Sequence, residues 1–99
     1  MKILKKTRQK KFKKNELENY PLVEVKWYDI SSESGWQSLN ELQNSKLAVC
    51  ITKGHLFSQS KGITRIFGDF ALDENEEYLV EVGNTTIIPT ACIIEIKKI

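Results

Sequence analysis

The chain has 99 residues, 40% of them hydrophobic, with 15 Lys or Arg against 13 Asp or Glu. That is one small domain burying a modest share of its surface, and it is too apolar to be a disordered chain. No apolar run approaches the roughly 20 residues of a membrane span, and no apolar stretch follows the basic start as in a secretory signal, so a cytoplasmic protein without membrane contact is expected.

The formal charge of +2 hides a split along the chain. Residues 1–14 carry eight cations and no acid: Lys2, Lys5, Lys6, Arg8, Lys10, Lys11, Lys13 and Lys14. The rest holds seven bases and all thirteen acids, a net −6. Mutual repulsion among the eight cations opposes compaction, so this segment reads as a flexible basic arm. Residues 1–20 form the arm and linker, and 21–99 form the folded body. Each cation that neutralises a phosphate releases a condensed counterion, so the arm is expected to bind RNA or DNA in a salt-sensitive way without reading sequence. The alternative is a solubilising or self-docking tail.

Pro21 starts an extended segment. In residues 22–28, Val23, Val25 and Trp27 alternate with Glu24, Lys26 and Tyr28, the pattern of a half-buried strand. Residues 29–35 are polar and loop-like. Ser38 followed by Glu41 has the form of a capping box, and Leu39 and Leu42 would bury one face of a short helix ending near Asn44. A helix this short persists only with tertiary packing.

Residues 47–57 read as a long central strand, with Leu47, Val49 and Ile51 on one side, Ala48 and Cys50 on the other, and both faces partly covered. Gly54 marks a bend or bulge. A turn over 58–62 leads into a strand over 63–72, where Gly68 again suits curvature. Residues 73–77 are an acidic loop, solvated or docking a basic partner. A strand over 78–82, a tight turn at Gly83-Asn84 and a strand over 85–88 follow. Residues 89–92 interrupt pairing for about one turn, and 93–99 close the chain with Ile94 and Ile96 inward.

Five to six short strands, two mid-strand glycines and one short helix predict a mainly β fold, a small and strongly curved barrel. The run Ile87-Ile88-Pro89-Thr90-Ala91-Cys92-Ile93-Ile94-Glu95-Ile96 resembles the end of SH3-like and Sm-like barrels, where a proline and one 3₁₀ turn precede a sealing strand. Together with Trp27-x-Asp29 and Ser34-Gly35-Trp36, it is similar to a group of short, mostly uncharacterised bacteriophage proteins. The resemblance covers residues 22–99, leaves out the arm, and implies no assigned activity.

Cys50 and Cys92 sit in apolar runs and are expected to be small buried side chains. With no CxxC and a single histidine, no metal site is expected. Cys50 and His55 fall on opposite strand faces, about 16 Å apart by strand rise, so they are not a catalytic dyad. No enzyme activity and no cofactor are expected. Alternation turns Trp27 inward and Tyr28 outward, and the tryptophans are expected to pack the barrel and the helix. Tyr28, Asp29, Glu33 and Trp36 are the candidate contacts for a protein or ligand, although Asp29 and the serines beside Glu33 also suit ordinary turn chemistry. The expected partners are nucleic acid through the arm and a host or phage protein through the barrel. The alternatives are a host-directed inhibitor or adaptor acting by protein contact alone, a small-ligand-sequestering homo-oligomer, and a virion component.

Overall fold

The computed structural model describes residues 12–99, with side chains from Leu17 onward. It is mainly β with one short α-helix, in the order β1 (Phe12–Lys13), a 3₁₀ turn (Lys14–Asn19), β2 (Leu22–Asp29), α1 (Leu39–Gln43), β3 (Ala48–Ser60), β4 (Ile63–Leu72), β5 (Tyr78–Pro89), a second 3₁₀ turn (Thr90–Cys92) and β6 (Ile93–Lys98). All ladders are antiparallel, in the sheet order β1-β5-β4-β3-β2-β6.

The alternation in β2 does what it predicts. Val23 and Val25 are buried and join Ile66 and Ile88 in the core, with Trp27, Leu56, Cys92, Ile93 and Ile96 packed around them. The Trp27 indole nitrogen donates to Thr52 Oγ1 at 2.9 Å, which satisfies its polar end. Thr64, fully buried beside this core, exchanges a 2.8 Å hydrogen bond with the Thr90 hydroxyl and accepts one from Gln59 Nε2 at 3.1 Å. That contact ties the second 3₁₀ turn to β4.

Phe67, next in sequence to Ile66, points to the opposite face and is buried by rings rather than by a sheet. His55 stacks on it at 5.1 Å, and Tyr20 and Phe57 meet it edge-on at 5.9 and 6.4 Å. His55 Nδ1 lies 2.8 Å from the Tyr20 carbonyl, which only accepts, so the imidazole donates and pins the linker to the sheet.

The expected closed barrel is not formed. Among the described residues β6 pairs with β2 alone, and no ladder joins it to β5. Pro89, which has no amide hydrogen to donate, ends β5, and the 3₁₀ turn then carries the chain to the β2 side. The β3–β4 ladder has only five register pairs, from His55↔Phe67 to Ser60↔Ile63. Beyond them the β2–β3 and β4–β5 hairpins share no ladder among the described residues.

Other local expectations need correction. The turn is tighter than 58–62, because β3 continues to Ser60 and only Lys61 and Gly62 turn, both with positive φ as a type I′ hairpin requires. The bulge in β3 lies at Phe57, between register pairs of Leu56 and Ser58, and not at Gly54. Gly83-Asn84 is no turn: β5 runs unbroken along β4, with Asn84 at φ 53 beside Gly68. Ile93 and Ile96 pack inward while Ile94 is exposed, because the β2–β6 register shifts between Lys26 and Trp27 and the shift flips the side-chain parity. Cys50 and Cys92 are half-buried free thiols.

Candidate functional site

The end of the β2–β3 hairpin, with the excursion over residues 30–47, holds all four candidate protein contacts. Tyr28 and Asp29 are the last residues of β2, opposite Val49 and Ala48. Glu33 and Trp36 follow in the excursion, and all four side chains are exposed. Trp36 makes no packing contact at 103% exposure, which corrects the expectation that both tryptophans pack the fold. Trp27 does pack, and Tyr28 faces outward as alternation requires.

Helix α1 is held by its own cap. Ser38 Oγ accepts from the Glu41 amide at 3.0 Å, and Glu41 Oε1 accepts from the Ser38 amide at 2.8 Å. The donation from the Ser38 amide, and then its hydroxyl, hold the Glu41 carboxyl below the usual glutamate range. Leu39 and Leu42 do not bury a helix face, since no residue of α1 is buried and these two are among the most exposed leucines. The helix is formed by capping, and its apolar side is left open.

The open surface continues onto the sheet. Leu47, just before β3, and Val49 and Ile51 within it alternate on one side, with Tyr28 opposite Val49, and each is about half exposed. Partial cover was expected of both faces, and on this one about half of each side chain is exposed. Among the described residues, the stretch 48–53 pairs only with β2, because the β4 ladder begins at His55. Among the described residues sixteen large hydrophobic side chains are exposed and seven hydrophobic ones are buried.

Of the arm cations, Lys2, Lys5, Lys6, Arg8, Lys10 and Lys11 lie outside the described residues. Lys13 pairs in β1 with Tyr78, and Lys14 opens the first 3₁₀ turn. The arm therefore joins the body at the start of β5, directly after the acidic loop. In that loop Asp73 Oδ1 accepts from the amides of Glu77 and Tyr78 at 2.8 and 3.2 Å, which is turn chemistry. Because turns alternate ends in an antiparallel meander, this loop and the 30–47 excursion share one end of the sheet. The 3₁₀ turn and the Lys61-Gly62 turn share the other, joined by a 2.9 Å bond from the Thr90 amide to the Gly62 carbonyl.

The remaining chemistry is sparse. Cys50 pairs with Trp27 and His55 with Leu22 on the same strand, five positions apart and on opposite faces. Among the described residues no three His, Cys, Asp or Glu side chains are grouped to hold a metal ion. Reading the sequence for motifs missed one feature: a groove of about 210 Å³ on the β4–β5 face, lined by Phe57, Arg65, Phe67, Val82, Thr85 and Ile87. Its signal was the unpaired alternation of Arg65 and Phe67 in β4. No family model, curated protein or solved structure matches the chain.

Proposed function

We propose that this is a non-enzymatic binding protein of bacteriophage type. The basic arm grips nucleic-acid phosphates, and the β2–β3 end of the body engages a protein. The observation that carries the reading is the open apolar surface around Tyr28, Trp36, Leu39, Leu42 and Val49, which a small monomer gains nothing by exposing. The charge split supports the division of labour: net −6 on residues 15–99 repels phosphates, so the eight cations of residues 1–14 are the phosphate-facing part. The likeness of residues 22–99 to short phage proteins favours the phage setting and a small-barrel ancestry. The strand order, a meander with the last strand returning beside β2, supports that ancestry.

The test is capture of protein partners by the wild-type chain and by Trp36→Ala and Leu39→Ser variants, after high salt has stripped nucleic acid. The reading expects a defined partner retained by the wild type and lost by both variants. Equal retention by all three chains refutes the β2–β3 end as the contact surface.

A further inference from the structure

The first half of β3 turns part of its main chain away from β2. The Leu56 amide donates to the Pro21 carbonyl at 2.9 Å, and these two residues continue the β2–β3 register beyond Leu22↔His55. In an antiparallel ladder such bonded pairs alternate with unbonded ones. Residues 48, 50, 52 and 54 therefore direct their amides and carbonyls to β2, and Val49, Ile51 and Lys53 direct theirs to the other side. On that side the β4 ladder starts only at His55. Among the described residues no ladder, turn or loop bond takes up the main chain of Val49, Ile51 or Lys53 there. β1 lies at the far edge of the sheet, beyond β4 and β5.

The residues along this edge suit it to another strand. Leu47-Ala48-Val49-Cys50-Ile51-Thr52 has no charge, no proline and no glycine, and half of it is β-branched. Natural edges are guarded by charge or proline within the strand, and here Lys46 and Lys53 stand outside the stretch. The stretch also complements itself. Two copies paired antiparallel about a two-fold axis at Cys50 set Val49 of each against Ile51 of the other, so their outward main-chain groups meet. Leu47 comes opposite Lys53, whose ammonium Glu24 already meets at 3.9 Å, and no like charges face each other.

A standard interface takes roughly 800 Å² from each partner, more than a strand edge gives. Antiparallel pairing carries the segment before Leu47 of each copy on toward the other copy's β4. That segment brings Trp36, Leu39 and Leu42, which are exposed along with Leu47, Val49 and Ile51. Six large side chains that are half to fully exposed offer an area of that order.

We propose that the chain forms a homodimer joined edge to edge along β3, with the two copies of Cys50 facing each other across the axis. The proposal rests on the reading of the β2–β3 end as a contact surface, and the partner it seats there is a second copy of this chain. The interface is isologous and closed, so pairing stops at two copies. Two basic arms then ride on one particle, which raises avidity for a polyanion.

The test is sedimentation of the full chain in high salt, which removes nucleic acid as a bridge. The wild type should be a dimer at about 100 μM chain, because interfaces of this size hold at micromolar concentrations or below. Val49→Lys sets an ammonium against Ile51 of the other copy, and Ile51→Glu sets a carboxylate against Val49. Each should raise the dissociation constant about tenfold or more. In the double variant the two charges face each other at both pairs, and it should dimerise more tightly than either single variant. Thermal melts check that the variants fold, as half-exposed positions allow. A monomeric wild type at this concentration overturns the proposal. So does a Val49→Lys chain that dimerises as tightly as wild type, or a double variant no tighter than the single ones. A monomer that still captures a foreign protein through Trp36 leaves the reading above standing, and a monomer that captures nothing brings down both.

Discussion

Replacing Gly54 by alanine tests the packing that defines this fold. Gly54 is buried in β3 opposite Val23, where β4 folds down onto the sheet. A Cβ built there would stand 2.7 Å from Ile66 Cγ2 and 2.8 Å from the Phe67 carbonyl oxygen, closer than such atoms approach in real proteins. The carbonyl is backbone, so relief requires β4 to lift off β3 at the register pair that joins the two hairpins, His55↔Phe67. Overpacking of this kind costs about 1–3 kcal/mol, offset by about 0.4–1 kcal/mol from the stiffer unfolded chain. Because the clash is with backbone, the upper part of that range, about 2–3 kcal/mol, applies, and the net is a loss of about 1–2.6 kcal/mol, which for a domain this size lowers the melting temperature by roughly 4–21 °C. Gly68→Ala is the control, since its Cβ would meet the Asn84 side-chain amide at 3.1 Å, an exposed group able to swing away. Thermal melts of both variants decide the matter. A Gly54→Ala chain melting within 2 °C of wild type, within ~0.5 kcal/mol by the same conversion, would refute the close approach of β4 over β3.

Thr64→Val removes the acceptor and donor that serve Gln59 and Thr90, so a loss of about 1–3 kcal/mol is expected in urea unfolding, with the 3₁₀ turn loosened first in amide exchange. Because its folded pKa is depressed, Glu41 contributes to helix α1 above the usual glutamate pKa, and that contribution is lost as pH falls through the folded value. Protection factors at the amides of 39–43, taken against intrinsic exchange at each pH, should therefore fall in mild acid, and Glu41→Gln should abolish that pH dependence. Leu42→Ser should leave global stability within about 0.5 kcal/mol in denaturant titration, since α1 buries nothing.

Much of the strand pattern was legible in the sequence because alternation is a local property. Val23, Val25 and Trp27 declare their face, Ser38 and Glu41 declare the helix start, and Pro89 declares the break before β6. The capping box was legible for the same reason, since both its bonds span three residues. What misled was whatever depends on partners distant in the chain. Leu39 and Leu42 look like a buried helix face, and only the tertiary arrangement shows that nothing covers them. Ile94 looks inward until the register shift opposite Lys26 and Trp27 is known, because one slipped residue reverses every face beyond it. Gly83-Asn84 has the composition of a hairpin turn, yet β4 pairs with β5 on both sides of it, at Phe67↔Thr85 and Asp69↔Gly83, and keeps the chain in one strand. Barrel closure failed on the same ground, since it requires the β5 and β6 edges to meet, and no local signal encodes that meeting. Of the candidate site, Tyr28 was correctly turned outward, whereas the Arg65 groove arises from the juxtaposition of three strands and has no motif.

On the proposed function, the arm binds phosphate and the body does not. It is tested most directly by titrating fluorescent single-stranded RNA and duplex DNA across a salt series. The wild-type chain is compared with a variant bearing glutamine at Lys2, Lys5, Lys6, Arg8, Lys10 and Lys11, which keeps β1 intact. With eight cations engaged the affinity should fall as roughly the sixth to seventh power of salt concentration, and the variant should bind far more weakly with a shallow slope. No binding by the wild type at about 50 mM salt, where a polycationic site is near its strongest, would contradict the claim, as would a variant that binds as well as the wild type.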